Sequence, residues 1–234
     1  MIDSITQKKF LARSAKEVKN YAVTRKILLT ALAGLLTLVM ILYIIAVLYK
    51  KTGSFTVSLN KYQMTEYGLT LSETSDMKYK TSYLNAEIDE DITNIAEETL
   101  PDDLDMIDGE HNGINYVAYT FYLQNAGRYE VSYDYQVQIS NITNNLDSAI
   151  RIRLYVDGVE TTYAKTRSDG TGPEEGTKEF YSSTVAAIGR IDNFKPLDQT
   201  KYTIVIWIEG NDPDCIDELI GGTMKVDMSF NIIH

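Results

Sequence analysis

The chain has 234 residues, a formal net charge of −11, one cysteine and two histidines. One cysteine excludes an internal disulfide, and His111 and His234 fit neither an H-E-x-x-H nor a paired-cysteine zinc motif. The excess of acid excludes nucleic acid as a partner, because neutralising phosphates takes clustered Lys and Arg.

Residues 3–24 read as a basic amphipathic helix. Leu11, Ala15, Val18 and Ala22 share a face, and Lys8, Lys9, Lys16 and Lys19 point largely elsewhere. The stretch ILLTALAGLLTLVMILYIIAVLY, residues 27–49, follows without a charge, a proline or a side-chain amide. As a helix it spans roughly 35 Å, enough to cross a bilayer core. No Ala-x-Ala cleavage site follows it, so it reads as a retained anchor rather than a signal peptide. Residues 1–26 carry seven Lys/Arg against two acids, while residues 52–234 carry 13 basic and 31 acidic residues. The positive-inside rule then places the basic arm in the cytoplasm and the acidic domain outside the cell membrane. Three segments result: a cytoplasmic arm 1–26, a transmembrane helix 27–49 and an extracytoplasmic domain 50–234. Residues 1–51 are expected to contact membrane lipids.

Beyond residue 52 the apolar period drops to two. Segments 116–123, 131–139, 150–156, 202–208 and 224–232 alternate cleanly, and turns such as Asp157-Gly158 separate them. Strand 202–208 is apolar on both faces and is expected to be central. Weaker strands are expected at 54–60, 67–72, 78–84, 160–165 and 180–187. This pattern predicts an all-β fold, an antiparallel β-sandwich or jelly roll. Residues 87–110 interrupt it with eleven acids and no Lys or Arg; Ile88, Ile92 and Ile95 suggest a short helix ending at Leu100-Pro101. Residues 166–178 read as a Gly-rich surface loop.

Two acidic groups are candidate calcium sites. Asp102, Asp103, Asp105, Asp108 and Glu110 offer hard oxygen ligands at close spacing, although the spacing is not that of an EF-hand loop. Asp212, Asp214 and Asp217 form the second set. The competing reading makes the first a solvated loop. It makes the second the start of a short helix, with Asn211 or Asp212 as cap, Pro213 at the first helical position, an Ile216, Leu219, Ile220 stripe and a Gly221-Gly222 stop. Cys215 lies among acids that disfavour a thiolate, and no arginine follows it, so the sortase arrangement is missing; a small apolar packing role is expected instead. Glu209, beside an apolar strand, is the one hint of a pilin-type Lys–Asn bond.

Three stretches, AYTFYLQNAG (118–127), KYTIVIWIEGNDPDC (201–215) and MKVDMSFNI (224–232), resemble exported Gram-positive proteins of the camelysin and TasA biofilm-fibre kind. The resemblance covers the C-terminal half. It implies a jelly-roll-like β domain on the outer face of the membrane. Where that family carries a cleavable signal, this chain carries an anchor. Camelysin is classed as a metallopeptidase, but no metalloprotease motif is present here, so the resemblance implies no catalysis. The expectation is a non-enzymatic cell-surface protein that binds an envelope partner or self-assembles. The alternative is a carboxylate-dependent surface hydrolase supported by calcium.

Overall fold

The computed structural model describes residues 23–44, 54–87 and 92–233. The expected amphipathic helix over 3–24 lies almost wholly outside the described residues, as do Lys50, Lys51 and His234. The chain divides into two compact units, residues 1–50 and 51–234.

In the first unit, Val23–Ile44 form one helix, α1, long and apolar enough to cross a membrane. The hydroxyls of Thr30 and Thr37 are satisfied within the helix. Thr30 donates to the Lys26 carbonyl at 2.6 Å, and Thr37 donates to the Ala33 carbonyl at 2.9 Å. Such back-bonding lets threonine sit in hydrocarbon without an orphaned donor.

The second unit is a β-sandwich of two mixed sheets, confirming the fold class read from the alternation. The strands are β1 (Ser54–Ser58), β2 (Leu69–Ser72), β3 (Tyr83–Glu87), β4 (Gly109–Glu110), β5 (Tyr116–Asn125), β6 (Val131–Ser140), β7 (Ile150–Val156), β8 (Val159–Ala164), β9 (Lys178–Glu179), β10 (Val185–Phe194), β11 (Gln199–Ile208) and β12 (Lys225–Ile233). Sheet 1 runs β10-β6-β12-β1-β3; sheet 2 runs β2-β5-β11-β7-β8-β9, with β4 also on β5. Pairing is antiparallel except for β1 with β12 and β8 with β9.

Alternation sends Phe55, Tyr133, Met228 and Phe230 of sheet 1 and Phe121, Ile152, Tyr202 and Ile204 of sheet 2 into one core. An aromatic cluster sits at its centre. Phe121 stacks on Tyr202 at 5.4 Å between centroids, and the Phe230 ring meets both edge-on or tilted. Gly189 leaves room for the Tyr135 ring: a Cβ there would lie 2.2 Å from it. The Asp157-Gly158 turn closes the β7–β8 hairpin with both residues at positive φ, the geometry two-residue hairpins favour.

A short helix α2 (Lys61–Tyr67), not foreseen from the sequence, follows β1. Asn60 and Gln63 cap it reciprocally: the Asn60 side chain accepts from the Gln63 amide at 2.8 Å, and Gln63 Oε1 accepts from the Asn60 amide at 3.1 Å.

Strand β11 is central, as expected, and its two apolar faces have distinct causes. Tyr202, Ile204 and Ile206 face the main core. On the opposite face Val205 and Trp207 are covered by Leu100 and Leu104 of the acidic excursion. Of the helix expected from Ile88 to Leu100-Pro101, residues 88–91 lie outside the described residues, residues 92–96 are not helical, and only a 3-10 turn forms at Glu97–Thr99. Ile92 packs on the main core and Ile95 on the Trp207 cluster, so one helical face cannot serve both. Ile95 instead pairs like a strand, its amide donating to the Ile208 carbonyl at 2.9 Å and its carbonyl accepting from Gly210 at 2.8 Å. The expected helix after Pro213 reduces to one 3-10 turn, Asp217–Leu219. Leu219 is buried while Ile216 and Ile220 are exposed, so the foreseen stripe never forms a buried face.

Candidate functional site

The sandwich opens between the β2 edge of sheet 2 and the β3 edge of sheet 1. Residues 73–82 join these strands and wall a cleft of about 290 Å³, whose lining includes Glu73, Tyr79, Lys80, Thr81, Tyr83 and Tyr119. Local bonds shape the connection. Asp76 accepts from the Thr74 hydroxyl at 2.7 Å and from the Lys78 amide at 3.0 Å, and these bonds hold its carboxyl below the usual range. Met77 takes a left-handed φ of 52° to close the turn. Thr81 then bridges back to Leu71.

The Thr81 hydroxyl also occupies the free edge of β3. It donates to the Tyr83 carbonyl at 3.0 Å and accepts from the Tyr83 amide at 3.2 Å, standing in for a neighbouring strand. Tyr79 and Tyr83 are 73% and 53% exposed at the cleft. Deeper in, the Tyr119 hydroxyl donates to the Glu73 carboxylate. Burial, reinforced by Glu73, pushes the Tyr119 phenol well above its ordinary value, so it stays a neutral donor. Lys80 donates to Gln124 Oε1 at 2.9 Å. Among the described residues the lining therefore holds one carboxylate and one ammonium, each hydrogen-bonded to a neighbour, among hydroxyls, an amide and tyrosine rings. This surface suits a polar, uncharged ligand with apolar patches.

The carboxylates singled out in the sequence lie elsewhere. Asp105 accepts from Thr203 at 2.8 Å and pairs with Lys201 at 3.2 Å. Asp108 accepts from the Tyr122 hydroxyl at 2.7 Å, and Glu110 from Asn112 at 2.6 Å. Asp102 and Asp103 are exposed. The two ring nitrogens of His111 face the carbonyls of Gly109 and Leu104 at 2.8 and 2.9 Å. Asp212 is buried against Arg151, which also holds Glu174 at 2.7 Å. Asp214 accepts from the Ser168 amide at 2.7 Å, pinning the Gly-rich loop, and Asp217 opens the 3-10 turn. Among the described residues no three His, Cys, Asp or Glu side chains converge on a position that could hold a metal ion. Cys215 is half-buried against the main core, and its sulfur accepts from Asn94 at 3.3 Å.

No protein-family model and no curated relative matches the chain. Two solved structures show weak similarity in shape. AvmM, which catalyses macrocyclization in alchivemycin A biosynthesis, is 8% identical over 51% of this chain and 80% of its own, with a TM-score of 0.23. A β-glucosidase from Kluyveromyces marxianus is 10% identical over 76% of this chain and 19% of its own, with a TM-score of 0.25. At these scores neither implies a shared fold.

The cleft residues escaped the sequence reading because Tyr79 and Tyr83 fell inside an expected strand over 78–84. The strand begins only at Tyr83. Tyr79 lies in the connection, where an exposed aromatic ring has no core to explain it. Glu73 and Tyr119 are 46 residues apart, and only the β2–β5 pairing brings them together.

Proposed function

We propose that the chain is a single-pass envelope protein with a cytoplasmic basic arm, and that its β-sandwich lies outside the membrane and binds a ligand through the β2–β3 cleft without turning it over. The apolar helix α1, the charge asymmetry and the resemblance to exported camelysin- and TasA-type proteins support the location. One observation carries the choice of binding over hydrolysis. Among the described residues Glu73 is the single carboxylate lining the cleft, and the Tyr119 hydroxyl donates to it. Sugar hydrolysis of the common kind needs two carboxylates facing the scissile bond.

The test uses intact cells making the full chain with a photo-crosslinking residue in place of Asn85, in the cleft, or of Tyr181, beside the opposite edge of sheet 1. An adduct with an envelope component from position 85, and none from position 181, is the expected result. Absence of any adduct from position 85 overturns the proposal. Turnover of a glycan or peptide by the purified chain, abolished by paired Asp/Glu substitutions, replaces binding with hydrolysis.

A further inference from the structure

We infer that the ligand of this cleft is an uncharged polysaccharide, running from the cleft onto the outer face of sheet 1; the inference rests on the binding role proposed above. Three observations converge. First, a sugar ring offers hydroxyls that both donate and accept, and C–H faces that pack on aromatic rings. Asn85 and the Tyr79 and Tyr83 side chains line the cleft and supply donors, acceptors and exposed rings, while the Thr74 and Thr81 hydroxyls, which donate to Asp76 and Tyr83, keep lone pairs that can accept. Lys78 Nζ lies 5.3 Å from the Tyr79 centroid over one face of that ring, leaving the other for a ligand.

Second, the charges argue against an ionic ligand. Glu73 and Lys80 are held by hydrogen bonds to Tyr119 and Gln124, and among the described residues they are the one acid and the one base of the lining, so the cleft has no net charge with which to select an ionic ligand. The 31 acids over residues 52–234, against 13 basic residues, repel polyanions at long range.

Third, the outer face of sheet 1 continues from the cleft's edge at Tyr83. The register aligns Tyr83, Ser58, Ser229 and Gln136 in one cross-strand row over β3, β1, β12 and β6. Their strand neighbours Leu84, Val57, Met228 and Val137 are buried, so the row lies on the outer face. At ordinary strand spacing it is about 14 Å long. It is a track of hydroxyls and amide with no formal charge, beginning at an exposed tyrosine, and so offers repeated hydrogen bonds to successive units of one polymer.

The experiment is co-sedimentation of the detergent-solubilised full chain with cellulose, chitin and starch granules, with polygalacturonate-coated beads as the polyanion and an immobilised copy of the chain as a protein partner. The expected result is retention on at least one uncharged polysaccharide. Tyr79→Ala and Tyr83→Ala should each weaken it about tenfold, with Tyr181→Ala unchanged. Both tyrosines are exposed, and an unchanged thermal melt for each variant separates lost binding from lost fold. Retention on none of the three polysaccharides, retention indifferent to Tyr79 and Tyr83, or retention on the polyanion or the immobilised chain alone overturns the inference. If the position-85 adduct still forms in cells in that case, the binding role stands and only the ligand class fails.

Discussion

The Trp207 indole donates to the Glu209 carboxylate at 2.9 Å, and this buried pair locks the acidic excursion to sheet 2. The same carboxylate oxygen accepts from the Glu97 amide at 3.1 Å, and the other accepts from the Asn211 amide at 3.0 Å. Among the described residues Glu209 therefore has three N–H partners, and no lysine is one of them. Glu209→Ala orphans these donors beneath Leu100 and Leu104. We expect a loss of about 3 kcal/mol. Trp207 is the chain's one tryptophan, so its fluorescence reports the opening directly. A melt of the variant that overlays the parent shows the carboxylate to be dispensable.

Arg151 and Asp212 form a second buried lock, each side chain 1% exposed. The guanidinium also reaches Glu174, so β7, the turn after β11 and the Gly-rich loop meet on one cation. Removing one partner leaves an uncompensated buried charge. Arg151→Met is expected to cost about 3–5 kcal/mol, and adding Asp212→Leu should recover part of that loss. Denaturant melts of the single and double variants measure both. A double variant as unstable as the sum of its parts contradicts the pairing.

The sandwich was legible because strand faces are written locally. Val226, Met228 and Phe230 announce one buried face two residues at a time, and β11 announces two. What covers its second face was not legible. Leu100 and Leu104 carry no period linking them to Trp207, more than a hundred residues on. Ile92 and Ile95 stand at helical spacing, but Ile95 pairs with the end of β11 and Ile92 packs on the main core instead. The candidate cleft was hidden for the same reason, since Glu73 and Tyr119 meet only through sheet 2. Arg151 stood in plain alternation on β7, and nothing local marked it as buried.

Calcium binding at either acidic group is open to a direct measurement. Asp105, Asp108, Asp212 and Asp214 are engaged by side chains or amides of the protein itself, and a cation would have to displace these bonds. Scanning calorimetry of the solubilised chain in millimolar calcium and in chelator should give the same melting temperature. A rise of several degrees in calcium would show ligands converging on a bound ion and restore the Asp102–Glu110 or Asp212–Asp217 set as a site.

The buried tyrosines set an alkaline limit on stability. Burial pushes the Tyr133 phenol up to about 12, with its bonds to Thr200 and Tyr202 pulling it partly back; burial and then Asp108 push Tyr122 up to about 12. Burial raises Tyr202 as well. A phenol raised in the folded state holds its proton more tightly there than in the unfolded chain. Its stabilisation is fully present below the ordinary value of 10.0 and is lost as pH rises from there towards 12. For Tyr133 alone the effect is roughly 2–3 kcal/mol. Melting temperature should hold steady on the acid side of that window and fall within it, in step with the rise of phenolate absorbance. Tyr133→Phe removes one titrating group from the core, so its melting temperature should fall less steeply over the same interval, although it starts lower for want of the hydroxyl bond to Tyr202 at 2.9 Å. Parallel curves for parent and variant would show that Tyr133 ionises as readily in the fold as outside it.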